Sequence, residues 1–188
     1  MVRQTLMMLL LLLAPPAQAA QAVFAGGSFW VMERLFAEQP GVLSTETGWM
    51  KSGSRYLRRQ VVRVEYDPQT LSYGELLTLY WAAVDAVDGE GQFCDRGTEF
   101  SPALYVDGSL QQKWAQQSRA RLALAYDRDI RVRILPEGVF ESAPARHQQY
   151  YEQHPLLYAG YRRMCGYPAG EGFTLQALAG APLATSQR

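Results

Sequence analysis

Cysteine and histidine are scarce in this chain, with two of each among 188 residues. His147 and His154 are too few and wrongly spaced for the usual zinc sites, so we expect no bound metal. Cys94 and Cys165 form an even pair, which in an oxidising compartment indicates a disulfide. Two separate functional thiols are the alternative that the sequence leaves open.

An excess of charge of one sign is also absent. The 18 basic and 18 acidic residues cancel, so the composition predicts no nucleic-acid partner. Long apolar runs are missing as well, because the run at 6–13 is too short to span a bilayer. We therefore expect no membrane anchor.

The amino-terminal segment has the features of a secretory signal peptide. Arg3 gives a positive start, the apolar run follows, and Ala17-Gln18-Ala19 matches an A-x-A cleavage site. We expect residues 1–19 to be removed and the remainder to be exported to the periplasm or secreted.

Hydrophobic periodicity predicts an α+β domain at 20–170, followed by a C-terminal tail at 171–188. A strand ending at Ala25 turns through Gly26 and Gly27 into a helix that begins near Ser28. Further strands are expected at 42–50, 59–66, 102–106 and 129–135, and helices at 76–84, behind a Ser72–Glu75 capping box, and at about 109–126. We expect loops at 85–98 and 136–146, a short helix at 147–151, and a surface-wrapping segment from Pro155.

The turn Gly26-Gly27-Ser28 is the candidate functional element. Glycines permit a sharp turn with uncovered N–H groups. A helix N-terminus adds unpaired donors and positive potential, which suit a nucleophile or a developing anion. Phe29 and Trp30 follow directly. The simpler alternative is that Ser28 only caps the helix and that both aromatic residues belong to the core.

Several motifs together resemble the methionine sulfoxide reductases of the A type. In chain order they are Ala25-Gly26-Gly27-Ser28-Phe29-Trp30 with Glu33, Pro40-Gly41-Val42, Val64-Glu65-Tyr66-Asp67-Pro68, Ser72-Tyr73, Gly91-Gln92-Phe93-Cys94-Asp95-Arg96-Gly97 and His147-Gln148-Gln149-Tyr150-Tyr151. The order matches that of the family over nearly the whole exported part. The resemblance implies a single compact α+β domain, a ferredoxin-like mixed sheet flanked by helices, with its active site at the first helix.

In that family, a cysteine in a Gly-Cys-Phe-Trp turn attacks the sulfur of an S-configured methionine sulfoxide. The resulting sulfenic acid is resolved by a second cysteine, and a thioredoxin-like donor restores the thiol. The resemblance thus implies a peptide-methionine (S)-S-oxide reductase that repairs oxidised methionine in exported proteins. It implies no bound cofactor and a thioredoxin-like thiol reductant, and we expect a monomer.

Three positions depart from the family pattern. Ser28 stands at the nucleophile position, and its hydroxyl cannot follow the sulfenic-acid route. Gln60 aligns with the glutamate that protonates the sulfoxide oxygen, and an amide cannot deliver a proton at neutral pH. Phe100 falls on a family tyrosine and lacks the hydroxyl. Tyr56 is the candidate for a second family tyrosine.

The residues retained from the family pattern are those of a binding pocket. Phe29 and Trp30 are expected to hold a methyl or thioether group through sulfur–aromatic contacts. Asp95 would orient a neighbour or accept a hydrogen bond from a substrate amide, and His147 is a further candidate. Relatives with a Phe-Cys-Asp-Arg-Gly stretch often carry a Cys-Gly near the C-terminus, so the resemblance favours a disulfide between Cys94 and Cys165.

Two functions remain open. One is an exported methionine sulfoxide reductase, active or formerly active; in the active version, Ser28 is an engineered replacement or Cys94 has taken over the thiol chemistry. The other is a pseudoenzyme that binds methionine or methionine sulfoxide through Phe29 and Trp30. A serine hydrolase built on Ser28 and His147 is disfavoured, because the turn lacks the second glycine of a nucleophile elbow.

Overall fold

The first strand lies in the interior of the sheet and leads directly into the candidate turn. A computed structural model describes residues 18–51 and 58–168. The predicted signal peptide up to residue 17, the segment that contains Tyr56, and the predicted tail at 171–188 lie outside the described residues.

Strands and helices alternate along the described chain. The strands are β1 (Ala20–Ala25), β2 (Val42–Lys51), β3 (Arg58–Tyr66), β4 (Gly91–Gln92), β5 (Asp95–Arg96), β6 (Ala103–Val106), β7 (Arg133–Pro136) and β8 (Val139–Ser142). The helices are α1 (Phe29–Ala37), α2 (Tyr73–Ala83), α3 (Gly108–Tyr126), α4 (Tyr150–Gln153) and α5 (Pro155–Cys165). Single 3₁₀ turns lie at Thr98–Phe100 and Ala145–His147.

Six strands form one mixed sheet in the order β7-β6-β1-β3-β2-β8. The β6–β7 pair is parallel and the other neighbours are antiparallel. β4 and β5 make a separate two-stranded hairpin within the predicted 85–98 loop. The mixed sheet flanked by helices confirms the α+β prediction.

The main core lies between this sheet and helices α1, α2 and α3. Phe24, Val62 and Leu104, from three adjacent strands, are fully buried in it. Phe24 stacks on Phe36 of α1 with ring centroids 4.5 Å apart. Because successive strand residues face opposite sides, Val61 belongs to a second, smaller cluster.

Local signals at the start of α2 act as predicted. The Ser72 hydroxyl accepts a hydrogen bond from the Glu75 amide at 3.2 Å, and the Glu75 carboxylate accepts one from the Ser72 amide at 2.7 Å. This capping box satisfies two backbone donors at the helix start. Tyr80 of the same helix donates its hydroxyl to the Ala25 carbonyl at 2.9 Å, which ties α2 to the end of β1.

The prediction of a loop at 136–146 is wrong, because β8 lies within it. β8 pairs with the edge of β2, with Ser142 opposite Gly48. Its side chains are largely solvent-exposed, and Val139 is 69% exposed. Phe140 alone of this strand is partly buried, against the smaller core cluster, so β8 leaves no alternating pattern of apolar residues for sequence reasoning to detect.

The prediction for the segment after Pro155 is also wrong. These residues form helix α5, which begins with Pro155 at its first position and ends at Gly166 in the left-handed conformation. Proline at the first turn and glycine just past the end are typical helix boundaries. The predicted strand at 129–135 is shorter than expected and begins only at Arg133.

Candidate functional site

The candidate turn brings the end of β1 against the 91–100 segment and against Tyr167. The Gly27 amide donates to the Phe100 carbonyl at 3.0 Å. Gly27 has a φ of +80°, and a Cβ built there would lie 2.5 Å from the Tyr167 hydroxyl oxygen. Both the left-handed backbone and the close approach require glycine here.

Ser28 is the N-cap residue of α1, as predicted. Its carbonyl accepts from the Val31 and Met32 amides, and its hydroxyl makes no capping hydrogen bond. The residue is 7% exposed. The Ser28 hydroxyl is therefore not committed to the helix end, and it lies beside the positive pole of α1.

Asp95 connects this turn to the C-terminal part of the described chain. One of its carboxylate oxygens accepts from the Ser28 amide at 3.2 Å. Tyr161 of α5 and Tyr167 donate their hydroxyls to the same carboxylate. Burial, followed by the bonds to Asp95, raises the pKa of both tyrosines, which keeps them protonated as donors.

Cys94 and Cys165 form a disulfide, with Cα atoms 5.2 Å apart, which confirms the pairing favoured by the resemblance. Cys94 lies in the β4–β5 turn next to Asp95, and Cys165 is the last residue of α5. These are the two cysteines of the whole sequence, so this bond leaves no free thiol in the chain. The disulfide and Asp95 together fasten α5 to the hairpin beside Ser28.

Gln60 reaches the start of α1 from β3. Its side-chain oxygen accepts from the Phe29 amide at 3.1 Å. Its nitrogen donates to Glu99 Oε1 at 3.4 Å, and Trp49 Nε1 donates to the same oxygen at 2.8 Å. Trp49 lies directly opposite Gln60 in the β2–β3 register. Two N–H donors from neighbouring strands thus converge on one carboxylate oxygen of Glu99, and Gln60 links them to the start of α1.

Aromatic rings pack together at the start of α1. Phe29 is 3% exposed, so it belongs to the core, as the simpler alternative for this turn predicts. Its ring makes an edge contact with Trp49, with centroids 5.5 Å apart. Trp30 is half-buried and stacks on Tyr150 at 3.9 Å with a 9° angle between the rings. Part of the Trp30 ring remains accessible, and aromatic rings of this kind contact methyl and thioether groups.

His147 stacks on this aromatic group and is not paired with Ser28. Its ring centroid lies 5.6 Å from that of Trp30 and 5.8 Å from that of Phe29. Burial, reinforced by the nearby Arg146, lowers the pKa of His147 and favours the neutral ring. Within the described residues, no hydrogen bond joins His147 to the Ser28 hydroxyl, and His147 Nδ1 is buried without a partner. A Ser–His hydrolase arrangement therefore has no geometric support.

Phe100 takes part in the site through its backbone. Its carbonyl accepts the Gly27 amide, and its side chain is half-buried in the 3₁₀ turn that also carries Glu99. The resemblance implies a tyrosine hydroxyl at this position, and the phenylalanine side chain has none. Tyr56, the other tyrosine candidate, lies outside the described residues.

Glu33 of α1 is fully buried. Its carboxylate accepts from the Gln149 amide at 2.8 Å and from the Thr45 hydroxyl at 3.3 Å. Burial raises the pKa of Glu33 to about 7, against the opposing effect of these two hydrogen bonds. Gln149 precedes Tyr150, which stacks on Trp30, so Glu33 holds the backbone next to the residue that stacks on Trp30.

An apolar cavity of about 520 Å³ lies beside Trp30 and runs along α5. Its lining residues come from α1, α4 and α5: Trp30, Val31, Tyr150, Leu156, Leu157, Tyr158, Gly160, Tyr161 and Met164. Leu156 and Met164 are at least 80% exposed. The stacked rings of Trp30 and Tyr150 therefore border an exposed apolar surface.

Sequence reasoning missed four residues of this site: Trp49, Glu99, Tyr161 and Tyr167. Alternation along the two strands contained a signal for Trp49, but its position opposite Gln60 follows only from the register of the β2–β3 hairpin. The sequence predicts a surface segment from Pro155 and no helix there, so it places neither Tyr161 nor Tyr167 in the site.

The described residues contain no group of three or more His, Cys, Asp or Glu side chains placed to hold a metal ion. In the same part of the chain, no helix combines the length and hydropathy needed to cross a bilayer.

Comparison with known proteins identifies the family. A sequence profile described as "Peptide methionine sulfoxide reductase" matches residues 20–171. The chain is 35% identical over 168 residues to the peptide methionine sulfoxide reductase MsrA of Bacillus licheniformis, covering 82% of this chain and 91% of that one. It is 38% identical over 173 residues to a peptide methionine sulfoxide reductase of Caulobacter vibrioides, covering 82% and 86%.

A solved structure supports the same assignment. Methionine sulfoxide reductase A of Corynebacterium diphtheriae superimposes with a TM-score of 0.62 at 28% identity, covering 76% of this chain and 77% of that one. The mixed sheet, the turn at the start of α1 and the matching sequences agree: the chain belongs to the peptide methionine sulfoxide reductase family.

Proposed function

We propose that this chain recognises methionine sulfoxide residues of polypeptides at the start of α1. The observation that carries the proposal is that Phe29 joins the Trp30 ring to two side chains that carry N–H donors, Trp49 and Gln60. A methionine sulfoxide has two alkyl groups and one strongly accepting oxygen on the same sulfur. The Trp30 face suits an alkyl group, and Trp49 Nε1 and Gln60 Nε2 supply donors for an oxygen.

The adjoining cavity supports a polypeptide ligand rather than free methionine sulfoxide. It continues the Trp30 face along α5 with open apolar surface. Such a surface provides contact area for residues that flank the oxidised methionine in a chain.

Position 28 limits the chemistry of the bound sulfoxide. Reduction of a sulfoxide by thiols consumes two thiol groups and yields the sulfide, one disulfide and one water molecule. The Ser28 hydroxyl cannot supply a thiol, and both cysteines of the chain are already joined to each other. We therefore propose that the disulfide-bonded chain binds the (S)-sulfoxide without reducing it, as a pseudoenzyme of its family.

Reduction through Cys94 and Cys165 is the second candidate function. Cys94 is adjacent to Asp95, which accepts the Ser28 amide, so the disulfide lies close to the turn. A thioredoxin-like donor would open the disulfide to two thiols. These two thiols would reduce one sulfoxide to the sulfide and water, and the disulfide would form again.

The proposed setting is outside the cytoplasm, and the proposed ligands are oxidised exported proteins. The signal-peptide pattern at 1–19 supports export, and a structural disulfide fits an oxidising compartment. We propose a monomer in this setting. Pulse labelling with detection of a processed amino terminus at Ala20 tests the export proposal, and retention of residues 1–19 would contradict it.

Calorimetric titration tests the recognition proposal. The probe is a pentapeptide with a central methionine (S)-sulfoxide, compared with the same peptide carrying unoxidised methionine. We expect saturable binding of the sulfoxide peptide and its loss in Trp30→Ala. The matched control is Trp114→Ala, because Trp114 is an exposed tryptophan on α3. Absence of binding, or equal binding by wild type and Trp30→Ala, would overturn the proposal.

A further inference from the structure

A carboxylate oxygen of Glu99 already occupies the position where the oxygen of a ligand would accept hydrogen bonds. Glu99 Oε1 lies 2.8 Å from Trp49 Nε1 and 3.4 Å from Gln60 Nε2. Indole N–H groups donate and do not accept, so Trp49 requires an acceptor at this point. The Glu99 carboxylate provides that acceptor in the absence of a ligand.

The orientation of the Gln60 amide is fixed by a separate contact. The Phe29 backbone N–H donates to Gln60 Oε1 at 3.1 Å. Because a backbone N–H needs an acceptor, the oxygen of the Gln60 amide faces α1 and its NH₂ group faces Glu99. Trp49 Nε1 and Gln60 Nε2 are thus both directed at the Glu99 carboxylate, and Gln60 is held by Phe29, the residue that follows Ser28.

We propose that Glu99 is an internal substitute for the sulfoxide oxygen and that it sets the selectivity of the site. This inference rests on the proposed function. The single indole N–H of Trp49 already donates to Glu99, so a ligand oxygen takes this donor only by displacing the Glu99 carboxylate. A sulfoxide oxygen is a strong acceptor and competes for the two donors. The thioether of unoxidised methionine is a weak acceptor and does not.

The competition has a direct consequence for affinity. Removing the Glu99 side chain frees Trp49 Nε1 and Gln60 Nε2. A sulfoxide oxygen then binds these donors without first displacing the Glu99 carboxylate. Both donors are half-buried, so in Glu99→Ala the sulfoxide oxygen competes for them with water and no longer with a carboxylate, whose charge makes it the stronger acceptor. The unoxidised peptide gains little from the same change, because its sulfur is a poor acceptor.

The test measures binding of the two pentapeptides to Glu99→Ala and Glu99→Gln by calorimetry. We expect Glu99→Ala to bind the sulfoxide peptide about tenfold more tightly, the gain from one recovered hydrogen bond, with little change for the methionine peptide. Glu99→Gln retains an acceptor oxygen and should stay close to wild type. Glu90→Ala, which removes an exposed carboxylate of the same segment, is the matched control and should also stay close to wild type.

A second substitution tests the donor. Adding Trp49→Phe to Glu99→Ala removes the indole N–H and should return the affinity for the sulfoxide peptide toward the wild-type value. Far-ultraviolet circular dichroism and thermal unfolding of each variant establish that it is folded.

Unchanged or weaker binding by Glu99→Ala, with wild type still binding, would overturn the role of Glu99 alone. Equal tightening by Glu99→Gln would also overturn it, because the cause would then be charge and not occupation by an oxygen. Failure of wild type and of Glu99→Ala to bind the sulfoxide peptide would overturn the proposed function together with this inference.

Discussion

The backbone N–H of Ser28 donates a hydrogen bond to Asp95 at 3.2 Å, and this contact connects three parts of the chain. Asp95 also accepts the hydroxyls of Tyr161 and Tyr167. The neighbouring Cys94 is bonded to the end of α5. The position of the turn at the start of α1 therefore depends on how α5 docks against the β4–β5 hairpin.

Replacing Asp95 should loosen this junction. Asp95→Asn keeps the shape of the side chain but offers one acceptor oxygen where the carboxylate offers two, and three donors meet it. We expect the free energy of unfolding to fall by about 1–3 kcal/mol, as measured by urea denaturation. The control is Asp129→Asn, an exposed carboxylate in a surface ion pair with Arg131. Its stability should stay within about 0.5 kcal/mol of wild type, and an equal loss in both variants would contradict the role of Asp95.

The disulfide should contribute strongly to stability. The two cysteines are 71 residues apart in sequence, and the chain-entropy account of a loop of this size gives about 4 kcal/mol. Urea denaturation with and without dithiothreitol measures the contribution. The double variant Cys94→Ser/Cys165→Ser should match the reduced wild type and be insensitive to reductant. Equal stability of oxidised and reduced wild type would contradict this prediction.

Glu33 should make stability depend on pH. Its pKa is about 7 in the folded chain, against an ordinary value of 4.5. Below 4.5 the carboxyl is protonated in both states, and its full stabilising contribution is present. As pH rises from 4.5 to 7 the unfolded chain releases the proton first, so stability falls, by at most about 3 kcal/mol. Above 7 the contribution is lost.

Urea denaturation across pH 4–9 checks this expectation. Glu33→Gln does not titrate, so its free energy of unfolding should fall less than that of wild type over this range. Glu38→Gln, on an exposed carboxylate at the end of the same helix, should follow the wild-type profile. Parallel profiles for wild type and Glu33→Gln would show that the buried carboxyl does not titrate as described.

Local signals in the sequence predicted the strand–turn–helix unit and the Ser72 capping box, because each depends on a few adjacent residues. The resemblance gave the disulfide pairing. Strand β8 was not predicted because it is an exposed edge strand. Helix α5 was not predicted because its glycine, Gly160, and its tyrosines are weak helix signals after Pro155. The meeting of Trp49, Gln60 and Glu99 depends on strand register and on a 3₁₀ turn, which composition and periodicity do not determine.

We propose that this site recognises methionine sulfoxide and that the hydroxyl at position 28 prevents its reduction. The most direct test is the rate of reduction of a methionine (S)-sulfoxide peptide in the presence of dithiothreitol, by wild type and by Ser28→Cys, followed by mass spectrometry of the peptide. We predict turnover by Ser28→Cys and none by wild type. Equal turnover by the two proteins would contradict the claim, and wild-type turnover that disappears in Cys94→Ser would establish the second route instead.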